Sequence, residues 1–379
     1  MNLKAYLGEL LPKTINYILA RKGVVKATTP ITLTFSVTTA CQSLCKTCNI
    51  GRRYRHNPEI ARDDLSLEEI DRIFKGMGHI YFFNISGGEP FLRKDLPQIV
   101  ELACAHLTPR IVHIPTNALL PNRIEKLTRD ILNIMEKSLP NAMLTVKPSI
   151  DGIGTQHDEI RGVQGNFEKL EETISRLKIV QADYPSFHLE LGTVVSQFNI
   201  NYLDTIADYV HRAGVQSYRN EIAEQREEFF NIGDPITPSA DEYEELMKQF
   251  KYKIRKHLEL KRRLARITES FRLVYYDLVS EIMRRKTQVI PCYGGISNVH
   301  LNYNGELWPC CILGYAHPMG NLRQEEYDFS RVFYSDQAEG VRTYIRKKRC
   351  WCTLANQAYS NILCHWPLLL KVGGSIFIR

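Results

Sequence analysis

Six short apolar runs, at residues 32–37, 80–85, 111–115, 144–150, 188–195 and 215–220, punctuate the first part of the chain and predict strands. Between them the apolar positions shift to a helical period. The first such segment opens with Ser66-Leu67-Glu68-Glu69, a capping box in which Ser66 and Glu69 each bond the other's backbone amide. Leu67, Ile70, Ile73, Phe74 and Met77 then share one face, and Gly76 and Gly78 close the segment. Further helices are expected at 94–106, 122–137, 166–181 and 202–212, the last stopped by Gly214. Strands alternating with helices imply parallel pairing through right-handed crossovers. The expected architecture is an α/β fold, a partial (β/α)6 TIM-like barrel over 31–223, with its chemistry at the C-terminal ends of the strands.

The flanks read differently. Ahead of the first strand, Leu3, Leu7, Leu10, Leu11 and Ile18 fall near helical spacing among Lys4, Lys13, Arg21 and Lys22. That makes 1–30 an N-terminal helical extension, packed under the barrel or lying on anionic lipid. Over 224–288, Gly233, Pro235 and Pro238 break the chain and Ser239 starts a charged helical linker. Asp241, Glu242, Glu244 and Glu245 stand at its start and Arg284, Arg285 and Lys286 at its end, as a helix dipole prefers. Its middle is basic, with Lys248, Lys251, Lys253, Arg255, Lys256, Lys261, Arg262, Arg263 and Arg266. No nucleic-acid module accompanies them, so solvated faces are expected and no nucleic-acid partner.

Composition narrows the class. The 379 residues are 44% hydrophobic and 24% charged, enough for a sizeable core, and 49 basic against 42 acidic residues leave +7. The excess suits an anionic substrate or surface. Ten cysteines occur without a secretory signal and in metal-like spacings, which implies a reducing cytoplasm rather than a disulfide framework. No apolar run reaches the length of about 18 residues that spans a bilayer.

Directly after the first strand, Ala40–Asn49 places Cys41, Cys45 and Cys48 in a C-x₃-C-x₂-C spacing. Three thiolates on one loop can hold three corners of a cubane iron–sulfur cluster and leave one iron open. A zinc site lacking its fourth ligand, or three unrelated thiols, are the alternatives. After the next strand comes Ser86-Gly87-Gly88-Glu89-Pro90, where paired glycines admit a ligand close to the backbone and Glu89 can take an ammonium group. Thr116-Asn117, Ser149, Asp151 and Ser196 to Asn199 follow later strands, with Ser217, Arg219 and Glu221 along the sixth, as a ligand-lined rim predicts. His157-Asp158-Glu159-Ile160-Arg161-Gly162 lies just past the fourth strand. The cysteine loop and the GGEP motif together resemble the radical S-adenosylmethionine (SAM) enzymes.

A second cysteine set begins at Cys292 and continues with Cys310, Cys311, Cys350, Cys352 and Cys364. Val299–Asn302, Asn304-Gly305 and Glu306–Trp308 read as a hairpin that brings Cys292 and Cys310 together. Cys350 and Cys352, at the expected start of a helix, complete a Cys₄ site for iron–sulfur or zinc. Cys292, Gly305 and Cys310 are similar to the C-x₉₋₁₅-G-x₄-C signature of the SPASM and twitch extensions, which carry auxiliary [4Fe–4S] clusters. The full SPASM pattern does not follow. One auxiliary cluster is therefore expected in 289–379, with Cys364 or Cys311 as alternative ligands, and Cys104 reads as a small core residue.

The resemblance implies that Cys41, Cys45 and Cys48 hold a [4Fe–4S] cluster whose open iron binds SAM. Gly87, Gly88 and Glu89 would meet the methionine ammonium, and Ser149 and Asp151 the ribose, with Thr116, Asn117 and Arg161 in the same cofactor-binding set. Thr47 departs from the aromatic residue usual before the third cysteine. The implied reaction is SAM cleavage to a 5′-deoxyadenosyl radical and hydrogen abstraction, expected to end as a two-electron oxidation. Electrons would come from a flavodoxin or ferredoxin. Only 30 residues precede the first strand, with no peptide-binding or cobalamin module, so the substrate is a small molecule or a peptide brought by a partner. Epimerisation or other modification of a sugar, lipid-linked group or peptide is the alternative, and no barrel cysteine outside the cluster stands out as the hydrogen donor epimerisation needs. A non-catalytic iron–sulfur or zinc electron carrier or scaffold is the competing class. Peripheral membrane contact through the N-terminal helix and the tail from Trp366 to Ile378 is a further alternative to packing.

Overall fold

The computed structural model describes residues 6–215, 217–258 and 263–377. Leu3, Lys4, Lys261, Arg262 and Ile378 of the expectations above lie outside the described residues. Six strands form the barrel wall: β1 (Thr32–Ser36), β2 (Phe82–Ser86), β3 (Ile111–Thr116), β4 (Met143–Pro148), β5 (Phe187–Val195) and β6 (Ser217–Ile222). Neighbours pair in parallel throughout. The intervening helices are Leu67–Met77, Leu96–His106, Pro121–Ser138, Asn166–Asp183 and Leu203–Ala213, within a few residues of the predicted segments. The capping box at Ser66 and Glu69 is present, with both reciprocal bonds made.

Alternation along each strand sorts the side chains. Leu33, Phe35, Phe83, Ile85, Val112, Ile114, Leu144 and Val146 are fully buried. Phe74 of the first crossover helix meets Phe35 and Phe83 edge-on, which fixes the outward, helix-facing side. The residues between them, Thr34, Asn84, His113 and Lys147, border the barrel lumen. With a period of two, one strand serves an apolar shell and a polar interior.

The sheet does not stop at six strands. Its order is β6-β5-β4-β3-β2-β1-β7-β8-β9, where β7 (Asn298–Leu301) pairs in parallel with β1, Thr32 opposite Asn298. Antiparallel β8 (Glu306–Trp308) and β9 (Gly320–Asn321) follow. The hairpin expected around Asn304-Gly305 thus covers the open edge of β1, where unpaired backbone groups need partners. Gly305 sits at φ +86° in its turn.

The charged linker is two helices, Ala240–Leu258 and Arg263–Arg285. Ser239 and Glu242 cap the first. Arg284 at the end of the second pairs with Asp241 and Glu244 at the start of the first, so acidic start and basic end meet in space. Arg272 runs into the barrel from the other end, bonding Glu190 at 2.9 Å and the Tyr218 carbonyl at 2.8 Å. Ser217 and Arg219 also bond Glu190. Arg219 shares its surroundings with Ile31 and Tyr81, at the N-terminal ends of the strands. Expected on the rim, Ser217 and Arg219 instead belong to the barrel floor, because strand stagger, invisible in the alternation, sets depth.

The N-terminal helix Leu11–Arg21 packs on the chain, burying Thr14, Tyr17 and Ala20. Tyr17 donates to the Thr29 carbonyl at 2.6 Å and Lys13 to the carbonyls of Thr29 and His79. Burial holds the Lys13 ammonium down at about 8. Among the described residues no helix is long and apolar enough to cross a membrane.

Candidate functional site

The loop after β1 is clamped on three sides through its backbone. From the β2 end, the amides of Gly88 and Glu89 donate to the carbonyls of Thr38 and Ala40, both at 2.7 Å. A Cβ on Gly88 would lie 2.2 Å from the Ala40 oxygen. From beyond β4, the carbonyls of Arg161 and Ile160 accept from Leu44 and Lys46, and a Cβ on Gly162 (φ +68°) would lie 2.3 Å from the Leu44 oxygen. From the chain after β6, Asn231 donates to the Thr47 carbonyl at 2.8 Å. The glycines therefore let the β2 end and the chain beyond β4 pack directly on the cysteine loop. Asp64 completes the hold by accepting from the Thr38 hydroxyl and the Thr39 amide.

Within this clamp Cys45 is buried and Cys41 and Cys48 half-buried. Burial pushes the Cys41 thiol up to about 12, and the neighbouring Cys45 adds to it. Cys48 is raised by burial and then by Cys45 and Cys41. Thiols close enough to oppose one another's ionisation are a donor set that a bound metal cluster would relieve by taking them as thiolates. Thr39 Oγ1, Ser43 Oγ and both Gln42 amide atoms on the loop have no hydrogen-bond partner among the described residues. The donor set and the surrounding unpaired polar groups fit a cluster with a polar ligand.

Glu89 is 2% exposed. Its Oε1 accepts from the Thr116 hydroxyl (2.9 Å) and the Phe91 amide (3.1 Å), its Oε2 from the Asn117 amide (2.7 Å). Thr116 and Asn117 thus hold the carboxylate in place. Burial lifts Glu89 to about 7 against the pull of these bonds and of Arg161, so a cationic group beside it would favour its charged form. Arg161, ending the helix Thr155–Arg161, bonds Asp151 Oδ2 at 3.1 Å, while Asp151 Oδ1 accepts from the Val194 amide. Both Asp151 oxygens are committed within the protein. Ser149 instead borders the lumen.

The lumen is a cavity of about 210 Å³. Ser86 and Ser149 border it on the rim side, and Cys310, Leu354 and Gln357 on the C-terminal side. Cys310 also lines a second cavity, of about 40 Å³, together with Cys292, Cys350 and Cys352. Burial raises all four thiols, and Cys292 adds to the shift at Cys310, Cys350 and Cys352. Cys350 and Cys352 stand on an irregular stretch just before the helix Ala355–Leu363, which begins three residues after Cys352. Cys364 lies at that helix's far end, near Tyr17 and Tyr293, and Cys104 is buried between helix and sheet.

Cys311 turns the other way, into the lumen. It lies 3.7 Å from Arg226 Nη1. The sequence hides this thiol because adjacent residues of an irregular stretch face opposite sides. Asn231 and Asp64 gave no motif signal either.

Residues 35–192 match the family model described as the radical SAM superfamily. Mycofactocin maturase MftC of Mycolicibacterium smegmatis is 24% identical over 220 residues, 57% of this chain and 50% of that protein. The antilisterial bacteriocin subtilosin biosynthesis protein AlbA of Bacillus subtilis is 22% identical over 306 residues, 79% of this chain and 59% of that one. The chain spans between half and three fifths of the length of these curated relatives. The crystal structure of Streptococcus suis SuiB bound to precursor peptide SuiA shares the fold, with a TM-score of 0.59 at 15% identity over 88% of this chain and 70% of that one.

Proposed function

We propose that the chain is a radical SAM enzyme of the SPASM type, a reading supported by the family match over 35–192 and by the relatives MftC and AlbA, and that it oxidises a peptide substrate by hydrogen abstraction. On this reading its cofactors are SAM, the [4Fe–4S] cluster that binds it, and an auxiliary cluster of SPASM type, which the family match and the SAM-bound structures of similar fold support. Cys41, Cys45 and Cys48 would hold the first cluster. Cys292, Cys310, Cys350 and Cys352 would hold a single auxiliary one, in a barrel of 31–223 joined through 224–288 to 289–379. When bound, these groups supply a 5′-deoxyadenosyl radical that removes a hydrogen atom from an unreactive carbon and an acceptor for the electron left behind.

The protein's own part is positioning. Glu89, fixed by Thr116 and Asn117, presents a carboxylate to the methionine amine. Ser149 offers the ribose a hydroxyl from the lumen wall. Asp151, paired with Arg161, would stand with Ser149 for the ribose, and the Arg161 carbonyl holds the cysteine loop at Leu44. The lumen keeps the reacting carbon dry and close to the rim, which is where such a reaction gains its rate. Asn84, Asn298, Asn356 and Gln357 border the same space and can pair with peptide amides.

The observation that carries the oxidative reading is Cys310, which lines both the lumen and the four-thiol cavity. An electron leaving substrate then has a short route. A peptide is favoured by the names of MftC and AlbA and by the peptide in the SuiB complex. The test is to incubate reconstituted enzyme with SAM, reductant and candidate peptides in D₂O. A product lacking two hydrogens is expected; deuterium at an inverted carbon with no oxidised product overturns the reading.

A further inference from the structure

One group on the lumen wall belongs to neither thiol set. Glu228 Oε1 lies 3.8 Å from His300 Nε2, and these atoms and Cys311 Sγ all fall within 4.8 Å of one another. All three residues are buried. They arrive from three places: Glu228 from the short turn Glu227–Phe229, His300 from β7, Cys311 from the chain beyond β8. Each borders the lumen cavity.

The charges around them are otherwise paired. Glu221 pairs with Lys147 at 3.2 Å, and Glu224 with Arg226 at 3.2 Å. Glu228 feels the charge of Arg226 and accepts from the Cys311 thiol and, at 3.4 Å, from the Ser36 hydroxyl. Three buried donors of different chemistry, a carboxyl, an imidazole and a thiol, converge on one point, a set that a transition metal can bridge. Arg226 Nη1, 3.7 Å from Cys311 Sγ, faces the sulfur from outside the triad.

We propose that Glu228, His300 and Cys311 bind a divalent transition metal, zinc by their donor set, with a fourth position open to the lumen for a donor atom of the substrate. One nitrogen, one sulfur and one oxygen suit zinc, whereas calcium and magnesium take oxygen donors. Tetrahedral zinc places its ligand atoms about 3.5 Å apart, so the triad closes by a small inward shift. Three protein ligands with one free position is the arrangement of reactive rather than structural zinc. Binding expels the Cys311 thiol proton to solvent and leaves Arg226 as an outer donor to the sulfur. His300 Nε2 exchanges its 2.8 Å contact with Ser36 Oγ for the metal. The site stands whether or not the oxidative reading holds, since its readout is metal content and not turnover.

The test equilibrates reconstituted holoenzyme with zinc sulfate under anaerobic conditions, desalts it, and measures zinc, iron and sulfide. About one zinc per chain is expected, lost in both His300→Gln and Cys311→Ser with iron and sulfide unchanged. Cobalt(II) loaded the same way should show a sulfur-to-cobalt charge-transfer band in the unsubstituted holoenzyme, which decides the matter if either variant fails to fold. Absence of zinc and of that band, retention of zinc by both variants, or Cys311-dependent transfer of solvent deuterium into product, which needs a free S–H, would each overturn the proposal.

Discussion

The backbone amide of Glu89 donates to the carbonyl of Ala40 at 2.7 Å, tying the end of β2 to the residue before the first loop cysteine. The Glu89 carboxylate and the cysteine loop are thereby one rigid unit, and movement of either displaces the other. Gly88, between them, admits no side chain because the atoms that a Cβ would meet are backbone. Gly88→Ala should therefore lose about half the cluster iron while the C-terminal thiols keep theirs. Iron and sulfide analysis after reconstitution checks this.

The C-terminal thiols divide by the cavity they line. Alanine at Cys292, Cys310, Cys350 or Cys352 should remove about half the iron. Cys364→Ala and Cys311→Ala should leave iron unchanged, since neither side chain borders the four-thiol cavity. Mössbauer or EPR spectra of each variant would show which cluster remains.

Arg161, largely covered, and buried Asp151 form an ion pair at 3.1 Å. Removing one partner leaves the other's charge stranded. Arg161→Met should cost about 3–5 kcal/mol of stability, and adding Asp151→Asn should recover part of it. Urea unfolding of the two variants measures the difference.

Glu69 links the first crossover helix to the C-terminal part of the chain. Arg323, 2.7 Å away, holds its carboxyl down at about 2, with further help from Ser66 and Tyr327. The folded state releases this proton more readily than the unfolded state, whose ordinary value is 4.5. Its stabilisation is therefore full above pH 4.5 and fades as pH falls toward 2. Glu69→Gln should lower the melting temperature at pH 7 and have a much smaller effect near pH 2, as pH-resolved thermal melts would show.

Much of this was legible in the residues. Six apolar runs, the Ser66 box and Gly214 located the barrel elements because period and caps are local properties. The cysteine spacing and GGEP located the rim. Depth and facing were not local. Arg219 lies in the floor because of strand stagger, Cys311 turns away from its neighbour Cys310, and β7 joins β1 from more than 260 residues away. The close packing of Gly88 and Gly162 on the cysteine loop likewise needed the third dimension.

The central claim is that Cys41, Cys45 and Cys48 together make a site that cleaves SAM. Anaerobically purified protein, rebuilt with iron and sulfide and given SAM and dithionite, should release 5′-deoxyadenosine, and Cys45→Ala should release none. Equal product from both proteins, or none from either despite full cluster iron in the unsubstituted one, would contradict the account.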